Sequence, residues 1–260
     1  AVLETADADA KAAAAQQFAA DWQAGRLAWT LDAAPPARPA RPLRPELLPP
    51  SQMPKRGRTL SDRARFALLH ALAHIELNAI DLACDIVARF GDQCPRGFAD
   101  DWVRVAGEEG LHFALVAGRL RELGGSYGDL PGHDGLWQAA ESTAGDFLAR
   151  LAVVPQVLEA RGLDVTPDMI ARFDRMGDDA SASVLRIIYR DEITHVAAGN
   201  FWFRWACESH GLPPESTFHT LVRRYFRGDL KPPFNDLARA EAGLTPAYYT
   251  PLANRSPAVL

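Results

Sequence analysis

The chain has 260 residues, of which 48% are apolar, and a formal net charge of −5 at pH 7. This length favours one large domain with extensions, and the acidic balance does not favour nucleic acid as a partner. Three cysteines without a Cys-x-x-Cys spacing exclude a full disulfide framework and a thiolate zinc site. The sequence shows neither a secretory signal nor an apolar run long enough to span a membrane. We therefore expect a soluble, cytoplasmic protein.

The N-terminal region, residues 1–60, is predicted to hold a short helix followed by an extended arm. Residues 8–24 have helical spacing, with Phe18 and Trp22 four positions apart. Residues 35–54 contain eight prolines and repeat Arg-Pro every third residue, which matches the turn of polyproline II. We favour an arm that lies across the folded body over a docking peptide for a partner.

Residues 61–211 are predicted to form four long helices. Their limits follow from capping residues, glycines and prolines. The predicted helices are 61–90 with Ser61 or Asp62 as N-cap, 98–123 ending at Gly124-Gly125, 134–162 kinked at Pro155, and 178–210 ending at Gly211. Strand signals are nearly absent, so the pattern predicts an all-α, four-helix bundle.

Shorter helical pieces are expected outside these four. Thr166-Pro167 resembles an N-cap followed by a proline at the first helical position, and it predicts a short helix to about residue 176. Residues 212–260 contain two or three pieces separated by prolines, which we expect to pack on the bundle as a C-terminal extension.

Two Glu-x-x-His motifs carry the candidate chemistry. They are Glu109 with His112 in the second long helix and Glu192 with His195 in the fourth. Residues three apart share a helix face, so each pair can offer a carboxylate and an imidazole to one metal ion.

The other two long helices each supply one further glutamate, Glu76 and Glu159, at matching positions. Glu109 follows Glu76 by 33 residues, and Glu192 follows Glu159 by the same number. Two helical hairpins with equal ligand spacing predict a pseudo-two-fold, two-metal site of the kind found in carboxylate-bridged helical bundles. One departure is expected, because the predicted third helix ends three residues after Glu159 whereas the first continues well beyond Glu76.

The residue types suit a pair of iron ions. Carboxylates bridge and neutralise two cations, and imidazole nitrogen suits iron better than calcium or magnesium. A mixed Mn/Fe pair is the alternative. Glu108 and Asp191 precede the two motifs, and each could accept a hydrogen bond from the histidine of the opposite motif. Orientation of these two acids toward solvent is the competing interpretation.

Two other features are interpreted as structural. His70 and His74 stand four apart, but His74 lies on a different helix face from Glu76, which favours core or capping roles. The aromatic run 200–205 is interpreted as helix packing rather than a redox relay.

The ligand set resembles that of the ferritin-like superfamily of dimetal-carboxylate proteins. The motif at 191–195 is similar to that of bacterial multicomponent monooxygenases and ribonucleotide reductase small subunits. More closely, residues 73–77, 159–164 and 190–196, with the proline-rich lead-in ending in Met53-Pro54, resemble an uncharacterised bacterial ferritin-like family, domain-of-unknown-function family 455. The resemblance covers residues 35–230 and implies the fold and the ligands, but it brings no established substrate.

We expect a non-haem diiron (or Mn/Fe) protein that is an O2-dependent oxidase or hydroxylase of a small or nucleoside-like substrate. A ferroxidase or peroxide-scavenging protein is the first alternative, although the chain lacks a four-cysteine rubredoxin site. A metal-free structural or interaction protein is the second. The sequence leaves open an electron-donor protein and a homodimer as further partners.

Overall fold

In the computed structural model, residues 1–30, 34–54 and 61–253 are described, and within these ranges every extended regular element is helical. Two isolated β-bridges, Leu47–Gly132 and Leu230–Ala253, add no strand. The all-α class is therefore confirmed. Residues 31–33, 55–60 and 254–260 lie outside the described residues, and so do the predictions for the N-terminal region and the C-terminal extension that fall on them. The α-helices are α1 Ala8–Gln23, α2 Asp62–Phe90, α3 Arg96–Glu122, α4 Gly135–Ser142, α5 Phe147–Val153, α6 Ala160–Arg175, α7 Asp179–Ser209, α8 Pro214–Tyr225, α9 Asp236–Glu241 and α10 Pro246–Tyr249.

The chain divides into two compact units. Unit 1 comprises Ala1–Gln138 and Arg172–Ile187, and unit 2 comprises Ala139–Ala171 and Ile188–Leu260. Because this division falls within α4, α6 and α7, the organisation into segments 1–60, 61–211 and 212–260 stays a prediction.

In unit 1, the two long helices α2 and α3 begin and end close to the predicted positions. The Ser61 hydroxyl accepts a hydrogen bond from Ala64 N (3.2 Å), so Ser61 is the N-cap of α2. Helix α3 ends just before Gly124, whose φ of +82° suits a residue without a side chain. Capping chemistry therefore sets these limits, as the sequence predicts.

Helix α1 packs against α3 through small residues. A Cβ on Gly110 would lie 2.6 Å from the Ala12 carbonyl oxygen, and one on Gly107 would lie 2.5 Å from Ala19 Cβ. The glycines thus allow the two backbones to approach closely. The sequence predicts helix α1 but not this contact.

The arm lies on the rest of unit 1 through backbone and ionic contacts. Ala40 N donates to Leu3 O (2.8 Å), and Leu48 N donates to Gly132 O (2.9 Å). Asp81 is fully buried and pairs with Lys11 at 2.5 Å and with Arg41 at 2.8 Å. These contacts agree with an arm laid across the folded body.

The predicted third helix is wrong in its continuity and in its end. A turn at residues 143–146 separates α4 from α5, and a π-helical segment, Val154–Glu159, leads into α6. Asp146 starts α5 by accepting a hydrogen bond from Ala149 N (2.9 Å). The buried guanidinium of Arg150 donates to the Ala140 carbonyl (2.6 Å) near the end of α4. The break is therefore a capped and hydrogen-bonded turn.

Helix α6 continues through both predicted boundary signals, Gly162 and Pro167. Its buried positions 160, 163, 166 and 173 keep the spacing of one helix face, which favours continuation. Proline at 167 has no N–H for the Leu163 carbonyl, and the side-chain amide of Asn235 donates to that oxygen instead (3.1 Å). No new helix therefore starts at Pro167.

Helix α7 and the C-terminal pieces agree with the prediction. Asp178 accepts a hydrogen bond from Ser181 N (3.0 Å) at the start of α7, and Gly211 follows its end with a φ of +64°. The pieces α8 to α10 are short, as the prolines predict. In the described part of the chain, no helix is both long and apolar enough to cross a membrane.

Candidate metal centre

Three of the six predicted ligands come together in unit 1. Glu76 on α2 is 2% exposed, and Glu109 and His112 on α3 are fully buried. One ligand atom from each lies within 4.8 Å of the others. His112 Nδ1 is 3.3 Å from Glu109 Oε2 and 3.5 Å from Glu76 Oε2. Two carboxylates and one imidazole therefore face one another inside unit 1.

The electrostatics of this group favour a bound cation. Burial, followed by the charge of Glu109, raises the pKa of Glu76 to about 8. Glu76 Oε2 is buried without an ordinary hydrogen bond. A buried carboxylate is stable in its ionised form only with a partner, and a metal ion is such a partner. The donor set, carboxylate oxygen with imidazole nitrogen, fits a transition metal such as iron.

Unit 2 contains the remaining three predicted ligands. Glu192 and His195 are buried on α7, and His195 Nδ1 is 3.9 Å from Glu192 Oε1. Glu159 is half-buried at the end of the π-helical segment. The spacing of three residues on α7 thus places the carboxylate and the imidazole together, as predicted.

Pro155 and Gly199 determine how the segment carrying Glu159 meets α7. A Cβ on Gly199 would lie 2.4 Å from Pro155 Cβ, so only glycine fits there. Gly199 is one turn after His195, and Pro155 is one turn before Glu159. Pro155 has no N–H to donate to the Leu151 carbonyl, which accepts a hydrogen bond from the side-chain amide of Gln156 instead (3.2 Å). The sequence predicts the kink but not the role of Gly199, whose only signal is a glycine inside a long helix.

The structure removes the predicted departure from symmetry. Helix α2 continues 14 residues beyond Glu76, and α6 continues to Arg175, 16 residues beyond Glu159. The third helix was expected to stop at Gly162. Because α6 passes through that residue, both glutamates are followed by helical stretches of similar length.

The two acids beside the motifs form ion pairs with arginines on their own helices. Glu108 pairs with Arg104 (2.6 Å), and Asp191 pairs with Arg190 (2.9 Å). Their hydrogen bonds to His112 and His195 stay a prediction, as does the grouping of all six ligands.

His70 and His74 organise the loop after α3, which confirms their structural role. His74 Nδ1 contacts Tyr127 Oη (2.8 Å), and Nε2 contacts the His133 carbonyl (2.9 Å). His70 Nε2 accepts from Gly128 N (2.9 Å). Burial lowers the pKa of His74 to about 4, so it is neutral at pH 7.

Comparison with known proteins shows where this chain belongs. The family model described as "Protein of unknown function (DUF455)" matches residues 4–250. The chain belongs to the DUF455 family. An uncharacterised protein of Haemophilus influenzae is 42% identical over 208 residues, covering 78% of this chain and 72% of that protein. No solved structure was found to match the chain. The DUF455 match confirms the family expected from residues 73–77, 159–164 and 190–196, and it assigns no reaction.

Proposed function

We propose that this DUF455 protein binds two iron ions and uses O2 to oxidise or hydroxylate a small or nucleoside-like substrate. In this proposal the four long helical regions form a ferritin-like bundle. The ligands are Glu76, Glu109, His112, Glu159, Glu192 and His195. A Mn/Fe pair is the alternative metal content.

The observation that carries the proposal is the buried grouping of Glu76, Glu109 and His112. Their ligand atoms lie within 4.8 Å of one another, and the pKa of Glu76 is raised to about 8. Purely structural polar groups in a core normally satisfy one another with hydrogen bonds. Here a buried carboxylate oxygen of Glu76 lacks an ordinary hydrogen bond, which supports a cation as the absent partner.

Unit 2 supplies an independent second argument. It repeats the glutamate–histidine pair at the same distance of 33 residues from a preceding glutamate. A π-helical segment ends at Glu159, and segments of this kind often occur at functional sites. A repeated ligand pattern is expected when two hairpins bind a pair of metals.

A bound iron pair supplies the activation of O2, and the chain supplies the environment for it. The four carboxylates neutralise the metals and the two imidazoles complete a set of six ligands. Six ligands shared by two ions leave coordination positions for O2 or substrate. Burial of Glu109, His112 and His195 keeps bulk water away from these groups.

Metal analysis of the purified protein tests the site. We expect close to two transition-metal ions per chain, and loss of most of this metal in the Glu109→Gln/His195→Gln double variant. Glu122→Gln, which changes an exposed glutamate at the end of α3, is the matched control and should retain the metal. Unchanged metal content in the double variant would refute the ligand assignment. If wild-type protein reconstituted with Fe²⁺ contained no metal, a structural role would be favoured.

Oxygen consumption separates the proposed reaction from iron storage chemistry. An oxidase or hydroxylase consumes O2 only with a reductant and a substrate. If Fe²⁺ alone sustains O2 uptake over many turnovers, the protein is a ferroxidase. Comparison of small metabolites and modified nucleosides between a deletion strain and its parent would then identify the substrate.

A further inference from the structure

Unit 2 contains a groove on the side of α7 away from Glu192 and His195. Its volume is about 580 Å³. One wall is formed by α7 residues spaced three or four apart, which therefore lie on one face of the helix. At 100° per residue, this face is roughly opposite to the face that carries Glu192 and His195. The other wall is the end of α9 and the following turn, residues 241–243. The α7 residues of the groove are Ala197, Asn200, Phe201, Arg204, Trp205 and Glu208.

Asn200 is a buried polar side chain of this groove without a protein partner for its oxygen. The residue is 4% exposed, and its Oδ1 accepts no hydrogen bond within the described residues. A Cβ on Gly243 would lie 2.4 Å from Asn200 Nδ2, so the glycine makes room for this amide. A buried amide in this state costs free energy unless a ligand or water completes its hydrogen bonds.

Aromatic and acidic side chains complete the lining. Phe201 is 57% exposed, although it is a large apolar residue, and Trp205 follows one helical turn later. Glu208 and Glu241 are exposed and form no ion pair with another described residue. With Arg204, these groups give the groove a net charge of −1.

We propose that this groove binds a small organic cation, a primary ammonium attached to an aromatic body. The ammonium offers N–H donors to the Asn200 amide and a positive charge to Glu208 and Glu241. Aromatic side chains such as Phe201 and Trp205 attract cations and pack against flat apolar groups. A monocation also neutralises the net charge of the groove, whereas an anion would face two carboxylates.

Calorimetric titration with three matched compounds tests the charge preference. Benzylamine carries the ammonium at pH 7, benzyl alcohol is neutral, and benzoate is an anion. We expect benzylamine to bind about 10-fold more tightly than benzyl alcohol, with no measurable binding of benzoate. Binding of benzoate as strong as that of benzylamine, or no saturable binding of benzylamine at millimolar concentration, would overturn the proposal.

Variants assign the binding to this groove. Glu208→Gln and Glu241→Gln should each weaken benzylamine binding about 3- to 10-fold, since each removes one attractive charge at an exposed site. Glu215→Gln, an exposed change on α8 outside the groove, is the control and should bind like wild type. The Glu109→Gln/His195→Gln variant should also bind benzylamine normally, so the groove and the metal centre can fail independently. Equal loss in the control, or no loss in either groove variant, would place the binding elsewhere.

Discussion

The two halves of the proposed metal site share their ligand spacing but differ in the helix that precedes the first glutamate. In unit 1, Glu76 lies in the middle of α2, which is uninterrupted from Asp62 to Phe90. In unit 2, Glu159 follows the short helix α5 and ends a π-helical segment. After the glutamates the halves are alike, since α2 and α6 both continue for about four turns.

This difference teaches that equal spacing does not require equal local structure. The 33-residue interval depends only on the helices and the turn between the two ligands. The chain before Glu159 is therefore free to form a broken helix, provided that side chains complete its hydrogen bonds. We expect the stability of the half in unit 1 to depend on the buried charge of Glu76 and on the packing of α3 against α1. The stability of the half in unit 2 should depend on Pro155 and its partners.

The largest expected effect concerns the buried charge of Glu76. Its raised pKa means that the folded protein binds an extra proton between about pH 4.5 and pH 8, so the metal-depleted protein should lose stability as the pH rises through this window. Glu76→Gln should reduce this loss in the free energy of unfolding by about 2–4 kcal/mol. Urea unfolding of metal-depleted protein at pH 5 and pH 8 measures it. If the free energy of unfolding of Glu76→Gln differed between pH 5 and pH 8 as much as that of wild type, the raised pKa of Glu76 would be contradicted. The control Glu122→Gln should show the same difference as wild type.

Gly110→Ala should destabilise unit 1 by about 1–3 kcal/mol, because the new methyl group meets the backbone oxygen of Ala12 at 2.6 Å. Gly118→Ala on the same helix meets no atom within 4 Å and should stabilise the protein by up to about 1 kcal/mol. Thermal or urea unfolding of both variants measures these changes in stability. Equal effects would show that α1 does not pack closely on α3.

Gly199→Ala should destabilise unit 2 by about 1–2 kcal/mol and reduce metal retention, since its methyl group would displace Pro155 and the segment that carries Glu159. Gly162→Ala, which has open space, serves as the matched change in α6 and should be neutral or stabilising. Unfolding and metal content are both measured. Normal metal content in Gly199→Ala would separate this contact from the site.

The smallest expected effect on stability is at Gln156, whose side-chain amide donates a hydrogen bond to the Leu151 carbonyl. Gln156→Met should cost about 1 kcal/mol by leaving this buried oxygen without a donor. In a Pro155→Ala background the backbone N–H of residue 155 can take over, so the same change should cost less. A double-mutant cycle from unfolding data gives the difference. Additive effects would mean that the amide of Gln156 does not compensate for the proline.

Much of the fold is predictable because its signals are local. Ser61, Gly124 and Gly211 set helix limits through caps and left-handed turns, and these limits are confirmed. The same local rules fail at Gly162 and Pro167. There the buried face of α6 continues the helix, and Asn235, distant in sequence, supplies the missing hydrogen bond.

The candidate site divides in the same way. The glutamate–histidine pairs and their 33-residue spacing are properties of the sequence, and each pair is placed by one turn of one helix. The packing of α1 on Gly107 and Gly110, and of Pro155 on Gly199, depends on contacts between segments far apart in the chain. No local pattern specifies such contacts.

The sequence by itself therefore determined the all-α class, most helix ends and the types and spacing of the proposed ligands, because hydrophobic period and capping act within a few residues. Only the tertiary structure decided that α6 is continuous, that a π-helical segment ends at Glu159, and that Glu76, Glu109 and His112 are buried together. The physical reason is that burial and long-range hydrogen bonds outweigh the preferences of single glycines and prolines, which amount to about 1–3 kcal/mol each.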